Sequence, residues 1–177
     1  MEILTVGHGT ASAAGLAALL RTAGVRLLVD IRTAPGSRRN PQVARSALEE
    51  WLPEHGIDYR WERRLGGWRK APADSPDVAL QQRAFAGYAA HMRTAEFAAA
   101  VDALLAGAAD RRTTVMCAES VWWRCHRRLL ADHLVLVRDV HVRHLFHDGR
   151  LEAHRPTDVA RVGADGLLVY DAGQQTL

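Results

Sequence analysis

The chain has 177 residues, 48% hydrophobic and 24% charged, enough for one domain that buries roughly 70% of its unfolded surface without disulfide staples. No apolar run approaches the ~20 residues of a membrane span, and Gly7 and His8 interrupt the apolar residues after Ile3, so a cytoplasmic protein with no membrane partner and no signal segment is expected. The net charge of +3 is too small for a dedicated nucleic-acid binder; of 23 basic residues one is lysine, Lys70, and 22 are arginine, whose planar fork suits carboxylate and phosphate.

Glu2 to Val6 is a short β-prone run, followed by Gly7-His8-Gly9-Thr10 and a helical pattern from Ser12 to Ala23 that Gly24 stops. Arg26 to Ile31 is a continuous apolar run with a late acid, Asp30, as in a buried parallel strand. Thr33 to Asn40 reads as a loop by its turn residues, and Pro41 opens a helix that Pro53 and Gly56 end. Ile57 to Trp61 alternates as a strand. The most basic window follows, Arg60 to Lys70, with Gly66 and Gly67 at its centre. Helices over 79–92 and 95–105 then form a long crossover. Thr113 to Cys117 is the next strand, Trp123 to Leu136 the next helix and Asp139 to Phe146 the next strand, with Leu167 to Tyr170 as a last short one.

Repeated strand–helix alternation predicts a single three-layer α/β domain over 1–177 with a mostly parallel, helix-covered sheet of Rossmann-like type. Such a sheet collects His8, Asp30, Arg32, Arg38, Gly66, Cys117 and Glu119 at its carboxyl edge, where open α/β sheets place their ligands. Cys125 is expected near a helix start among Arg124, His126, Arg127 and Arg128, a setting that favours a thiolate; plain burial is the alternative. Cys117, closing an apolar strand, has the stronger case for packing. Seven residues separate the two cysteines, which is neither zinc-knuckle spacing nor, with Arg124 coming after six intervening residues from Cys117, a phosphatase loop; no metal ligands and no cofactor are assigned. Glu119 is a candidate general base or an acid paired with Arg32 or Arg127, and His8 a side chain presented by a tight turn.

The segments TVGHG (Thr5–Gly9), VDIRTAPGSRRNP (Val29–Pro41), GIDYRWERRLGG (Gly56–Gly67) and MCAESVWWRCHR (Met116–Arg127) together resemble the family catalogued as domain of unknown function 488. The resemblance implies a compact α/β fold with a site among His8, Asp30, Arg32, Pro35, Ser37, Arg38, Gly66, Gly67, Cys117, Glu119, Cys125, His126 and Arg127, and it brings no activity with it. One departure is Gly9, where the family usually has serine; its hydroxyl role is missing here or passed to Thr10.

These residues point to an enzyme acting on an anionic, phosphate-bearing or nucleotide-like small molecule. Arg32, Ser37, Arg38, Gly66, Gly67, Arg127 and Asp30 would build the anion site, and Cys117, Cys125, His126, His8 and Glu119 would carry the chemistry. Two alternatives stand beside it. One is a nucleic-acid-associated module using Arg63, Arg64 and Arg69 with Trp61 and Trp68 as stacking platforms; the other is a cysteine-based redox or metal site.

Overall fold

The computed structural model describes residues 1–173. Five strands, β1 (Glu2–Gly7), β2 (Leu27–Asp30), β3 (Asp58–Trp61), β4 (Thr113–Cys117) and β5 (His141–Leu145), lie parallel, and β6 (Leu151–Ala153) adds an antiparallel edge to give the order β3-β2-β4-β1-β5-β6. The remaining strands, β7 (Ala160–Val162) and β8 (Leu168–Tyr170), form a separate hairpin. Among the described residues no helix is long and apolar enough to cross a membrane.

Alternation along the strands splits the core into two layers. Leu4, Val6, Leu28 and Met116 face α1 (Ala13–Thr22) and α2 (Arg45–Glu54), while Ile3, Val29, Val115 and Cys117 face α3 (Arg83–Met92), α4 (Ala95–Gly107) and α5 (Arg127–Leu136). This is the expected three-layer α/β arrangement. Every residue of β4 is buried, as its position at the middle of a doubly covered sheet requires.

Three elements begin differently from their sequence patterns. Pro41 opens only a single turn, Pro41–Val43, because Ala44 is extended (φ −62°, ψ 149°) before α2 starts at Arg45. The first crossover helix starts at Arg83 rather than near residue 79, since Asp77 is spent binding Arg93 and the Tyr170 amide. The helix expected from Trp123 is broken as well. Trp122–Arg124 is one turn, Cys125 is extended (φ −123°, ψ 153°), and α5 begins at Arg127 with His126 as its N-cap.

Strand order fixes where a ligand can sit. From β1 the chain crosses β4 by way of α1 on one face to reach β2, and from β4 it crosses β1 by way of α5 on the other face to reach β5. The connections therefore part between β1 and β4, and a crevice opens at their carboxyl ends. His8 and Gly9 close its floor by donating to the carbonyls of Cys117 (2.9 Å) and Ala118 (2.9 Å).

Candidate functional site

Two sulfurs and an imidazole meet at that crevice. The extended backbone at Cys125 turns its thiol back toward the end of β4, so Cys117 Sγ, Cys125 Sγ and a His126 ring nitrogen all lie within 4.8 Å of one another. His126 Nδ1 is 3.9 Å from Cys117 Sγ and 3.7 Å from Cys125 Sγ. Both thiols are free and buried. The mutual contact of the thiols, more than burial, pushes Cys117 up; the same contact, with His126 and Arg127, holds Cys125 down against the opposing effect of burial. The two thiols titrate as one coupled pair, and the contacts around Cys125 favour ionisation there over Cys117.

Arg127 lies behind the sulfurs and is 1% exposed. Its Nη2 donates to the main-chain carbonyls of Glu119 and Ser120, its Nε has no partner, and among the described residues no carboxylate pairs with it. The expected pairing with Glu119 is thus replaced by a contact to that residue's carbonyl. The Glu119 carboxylate is on an exposed loop residue. An unpaired buried guanidinium is costly unless an anion answers it.

Arg32 is placed differently. Buried to 6% exposure, it donates from Nε (2.8 Å) and Nη2 (2.5 Å) to the fully buried Asp30, from Nη2 to Val43 O (2.8 Å) and from Nη1 toward His8 Nε2 (3.2 Å). Asp30 also accepts the Tyr59 hydroxyl at 2.8 Å. His8 donates from Nδ1 to Gly9 O (2.8 Å), and burial holds its pKa below the usual histidine value. His8 is therefore a neutral ring whose free lone pair is taken by Arg32, which leaves it a positioning contact rather than an open base.

A cavity of about 120 Å³ opens above Cys117 and His126, walled by Arg32 and Thr33 on one side and by Gly67 and Trp68 on the other. The glycines are needed for close approach. A Cβ on Gly67 would sit 2.6 Å from His126 Nδ1, and one on Gly66 would sit 2.5 Å from Thr33 Oγ1. Gly7 is tighter still, since its Cβ would overlap the Glu119 carbonyl and lie 2.7 Å from Arg127 Nη2. Gly7→Ala is expected to push the Ala118–Ser120 loop off the sheet edge and cost on the order of 2 kcal/mol by overpacking. Urea denaturation checks this; an unchanged midpoint would mean the loop yields freely.

Other expected members stand outside this cluster. Arg38 and Arg39 are exposed, and the Ser37 hydroxyl accepts from the Asn40 amide at 2.9 Å, a turn contact. In the basic window Arg64 is held by Glu62 (2.8 and 2.7 Å) and Arg69 by the carbonyls of Gly66 and Arg64, so both serve the loop itself. Trp61 donates to Arg32 O at 2.8 Å beneath the Arg45 guanidinium, whereas Trp68 is 80% exposed at the cavity rim. Tyr88 comes from the crossover, its ring 5.0 Å from that of His126, and donates to Leu65 O. At Gly9 (φ +51°) a side chain would run into Ser120 Oγ, which places a serine hydroxyl beside this turn.

Sequence patterns do not disclose a buried polar chain beside the site. Thr5 Oγ1 lies 2.7 Å from His144 Nδ1, His144 Nε2 lies 3.0 Å from His154 Nδ1, and His154 Nε2 lies 2.8 Å from Asp132 Oδ1. Asp132 also accepts from Tyr170 and Thr157, which ties the terminal hairpin to α5. Trp122 stacks on His144 at 4.0 Å. The one signal in the sequence is the inward register of His144 in an alternating strand. A larger groove of about 470 Å³, among Arg21, Arg26, Glu54 and His55, is formed by the far ends of α1 and α2 and contains none of these groups.

The architecture and the site define a three-layer α/β protein with a cysteine–histidine–arginine cluster at the carboxyl edge of a mostly parallel sheet. Residues 12–134 match the family described as Domain of unknown function DUF488, and the chain belongs to that family. No curated protein and no solved structure is similar enough to the chain to register as a match.

Proposed function

We propose that the protein is a small cytoplasmic enzyme that binds an anionic, phosphate-bearing or nucleotide-like substrate in the cavity above Cys117 and His126 and reacts with it there. The observation that carries this reading is Arg127, a guanidinium 1% exposed with a free Nε and two ionisable thiols beside it and, among the described residues, no carboxylate partner. A bound oxyanion, or the thiolate itself, supplies the missing counter-charge. Arg32, whose charge Asp30 balances, stands as a rigidly held guanidinium at the cavity wall, while Gly67 lets the substrate approach the backbone. Cys117, Cys125 and His126 form the reaction centre, and Glu119, exposed on the adjoining loop, is the acid–base group open to substrate.

Calorimetric titration with inorganic phosphate, sulfate and a nucleoside monophosphate tests this. Wild type should bind at least one of them, and Arg127→Met should weaken it by about tenfold or more, with Arg127→Lys intermediate. Equal binding by Arg127→Met would overturn the reading. A steeply salt-dependent affinity for single-stranded oligonucleotide that is lost in Arg63→Ala and indifferent to Arg127 would assign the protein to the nucleic-acid-associated class instead.

A further inference from the structure

We infer that Cys117 Sγ, Cys125 Sγ and His126 Nδ1 together hold one zinc-type divalent cation whose fourth position opens into the 120 Å³ cavity. The inference rests on reading this cluster as the reaction centre and names what that centre carries. Its basis is the match between the three donors and the geometry of the ion. Tetrahedral zinc, with Zn–S of about 2.3 Å and Zn–N of about 2.0–2.1 Å, sets sulfur and nitrogen about 3.6 Å apart and the two sulfurs about 3.8 Å apart. The nitrogen here is 3.9 and 3.7 Å from the sulfurs, and all three donors lie within 4.8 Å of one another, so the closure needed is at most about 1 Å.

Donor chemistry agrees. Two thiolates and a neutral imidazole suit a borderline-soft cation and discriminate against magnesium or calcium, which take oxygen. Three protein ligands with one open place is the arrangement of catalytic zinc rather than structural zinc. Small residues lie next to the donors, with Ala118 bordering the cavity and Gly67 carrying no Cβ to crowd His126 Nδ1, while Arg32 and Trp68 form its larger walls.

Charge points the same way. Two thiolates cancel the divalent ion, leaving Arg127 as the uncompensated buried charge behind the site. An oxygen of the anionic substrate on the fourth position would supply the negative charge that Arg127 lacks. The metal then acts as the Lewis acid on that oxygen, and Arg127 and Arg32 stabilise the rest of the oxyanion.

Sequence spacing conceals the site because the seven residues between the cysteines contain a one-turn helix, Trp122–Arg124, that folds the second thiol back beside the first. Metal-free protein, prepared reduced and without oxygen, should be titrated with Co²⁺. The expected result is one Co²⁺ per chain, with the intense visible bands of a tetrahedral ion and a sulfur-to-cobalt charge-transfer band. Cys117→Ser and Cys125→Ser should each lose the charge-transfer intensity, and His126→Ala should weaken binding at least tenfold. Added phosphate should shift the visible bands, and Arg127→Met should keep the cobalt spectrum while losing that shift.

A weak octahedral spectrum without charge transfer, or binding unchanged in Cys117→Ser, overturns the metal site. Because the wild-type spectrum is itself diagnostic, a variant that fails to fold does not blunt the test. Phosphate binding by metal-free protein, read by calorimetry, separates the two ideas. If it persists while Co²⁺ gives no tetrahedral spectrum, the anion reading stands and the metal falls; with a tetrahedral spectrum and no anion effect in any form, the metal stands and the anion reading falls.

Discussion

Asp30→Ala is expected to remove about 3–5 kcal/mol of folding stability and most of the anion affinity with it. The carboxylate is fully buried and takes two side-chain bonds from Arg32 as well as the Tyr59 hydroxyl. Removing it leaves Arg32 buried to 6% exposure with only carbonyl and imidazole partners, and losing one member of a buried pair costs far more than the pair contributes when intact. Against the roughly 5–15 kcal/mol typical of a folded domain, that is a third or more of the total. Urea denaturation measures it, and the double variant Asp30→Ala with Arg32→Met should regain part of the loss because the stranded charge has gone. A loss under about 1 kcal/mol would mean that Arg32 swings out to water at little cost, and the pair would no longer explain how the cavity wall is held.

The second large effect is loss of stability in mild acid. Burial brings His144 down to about 3, helped by His154 and Arg127, and brings His133 down to about 4, helped by Arg138. Both groups titrate near 6.5 in the unfolded chain, so between about pH 6.5 and pH 4 the unfolded state binds protons that the folded state refuses. Stability therefore falls as pH drops through this window, by up to about 2–3 kcal/mol for each ring. Structure supplies the cause in each case. His144 has both nitrogens engaged as a neutral ring and Trp122 stacked on it, while His133 lies edge-on to Phe97 at 5.0 Å with Nδ1 unpartnered. Denaturation midpoints from about pH 7 to pH 4 check this, and His133→Leu should flatten part of the slope. An unchanged midpoint down to about pH 4.5 would show that one or both rings protonate in place.

Much of the fold is legible in the sequence because it rests on local patterns. The apolar run Thr113–Cys117 coincides with β4, and Glu2–Val6 lies within β1. The hairpin strand β7 is not legible, because Ala160–Val162 is only three residues long and its alternation is too short to stand out; the hairpin is tied to α5 through Asp132, Thr157 and Tyr170. Helix starts expected at Pro41 and Trp123 fail for a related reason. The apolar spacing continues through both breaks, and the extended backbone at Ala44 and Cys125 is not written in that periodicity.

The strand–helix alternation, the acid and the thiol that close β2 and β4, and the glycines where backbone must approach closely are all written in the residue pattern. They follow from side-chain hydrophobicity and backbone sterics, which act over a few residues. Which arginine is spent and which is free is settled only when the chain folds. Arg32 is neutralised by an acid two residues away, but Arg127 is left without one because the loop meets it with the Glu119 carbonyl rather than the carboxylate. Folding also brings together two cysteines separated by seven residues so that both sulfurs lie beside His126. Charge balance in a buried site depends on which groups reach each other through a low-dielectric interior, and that is set by strand order and one backbone break at Cys125.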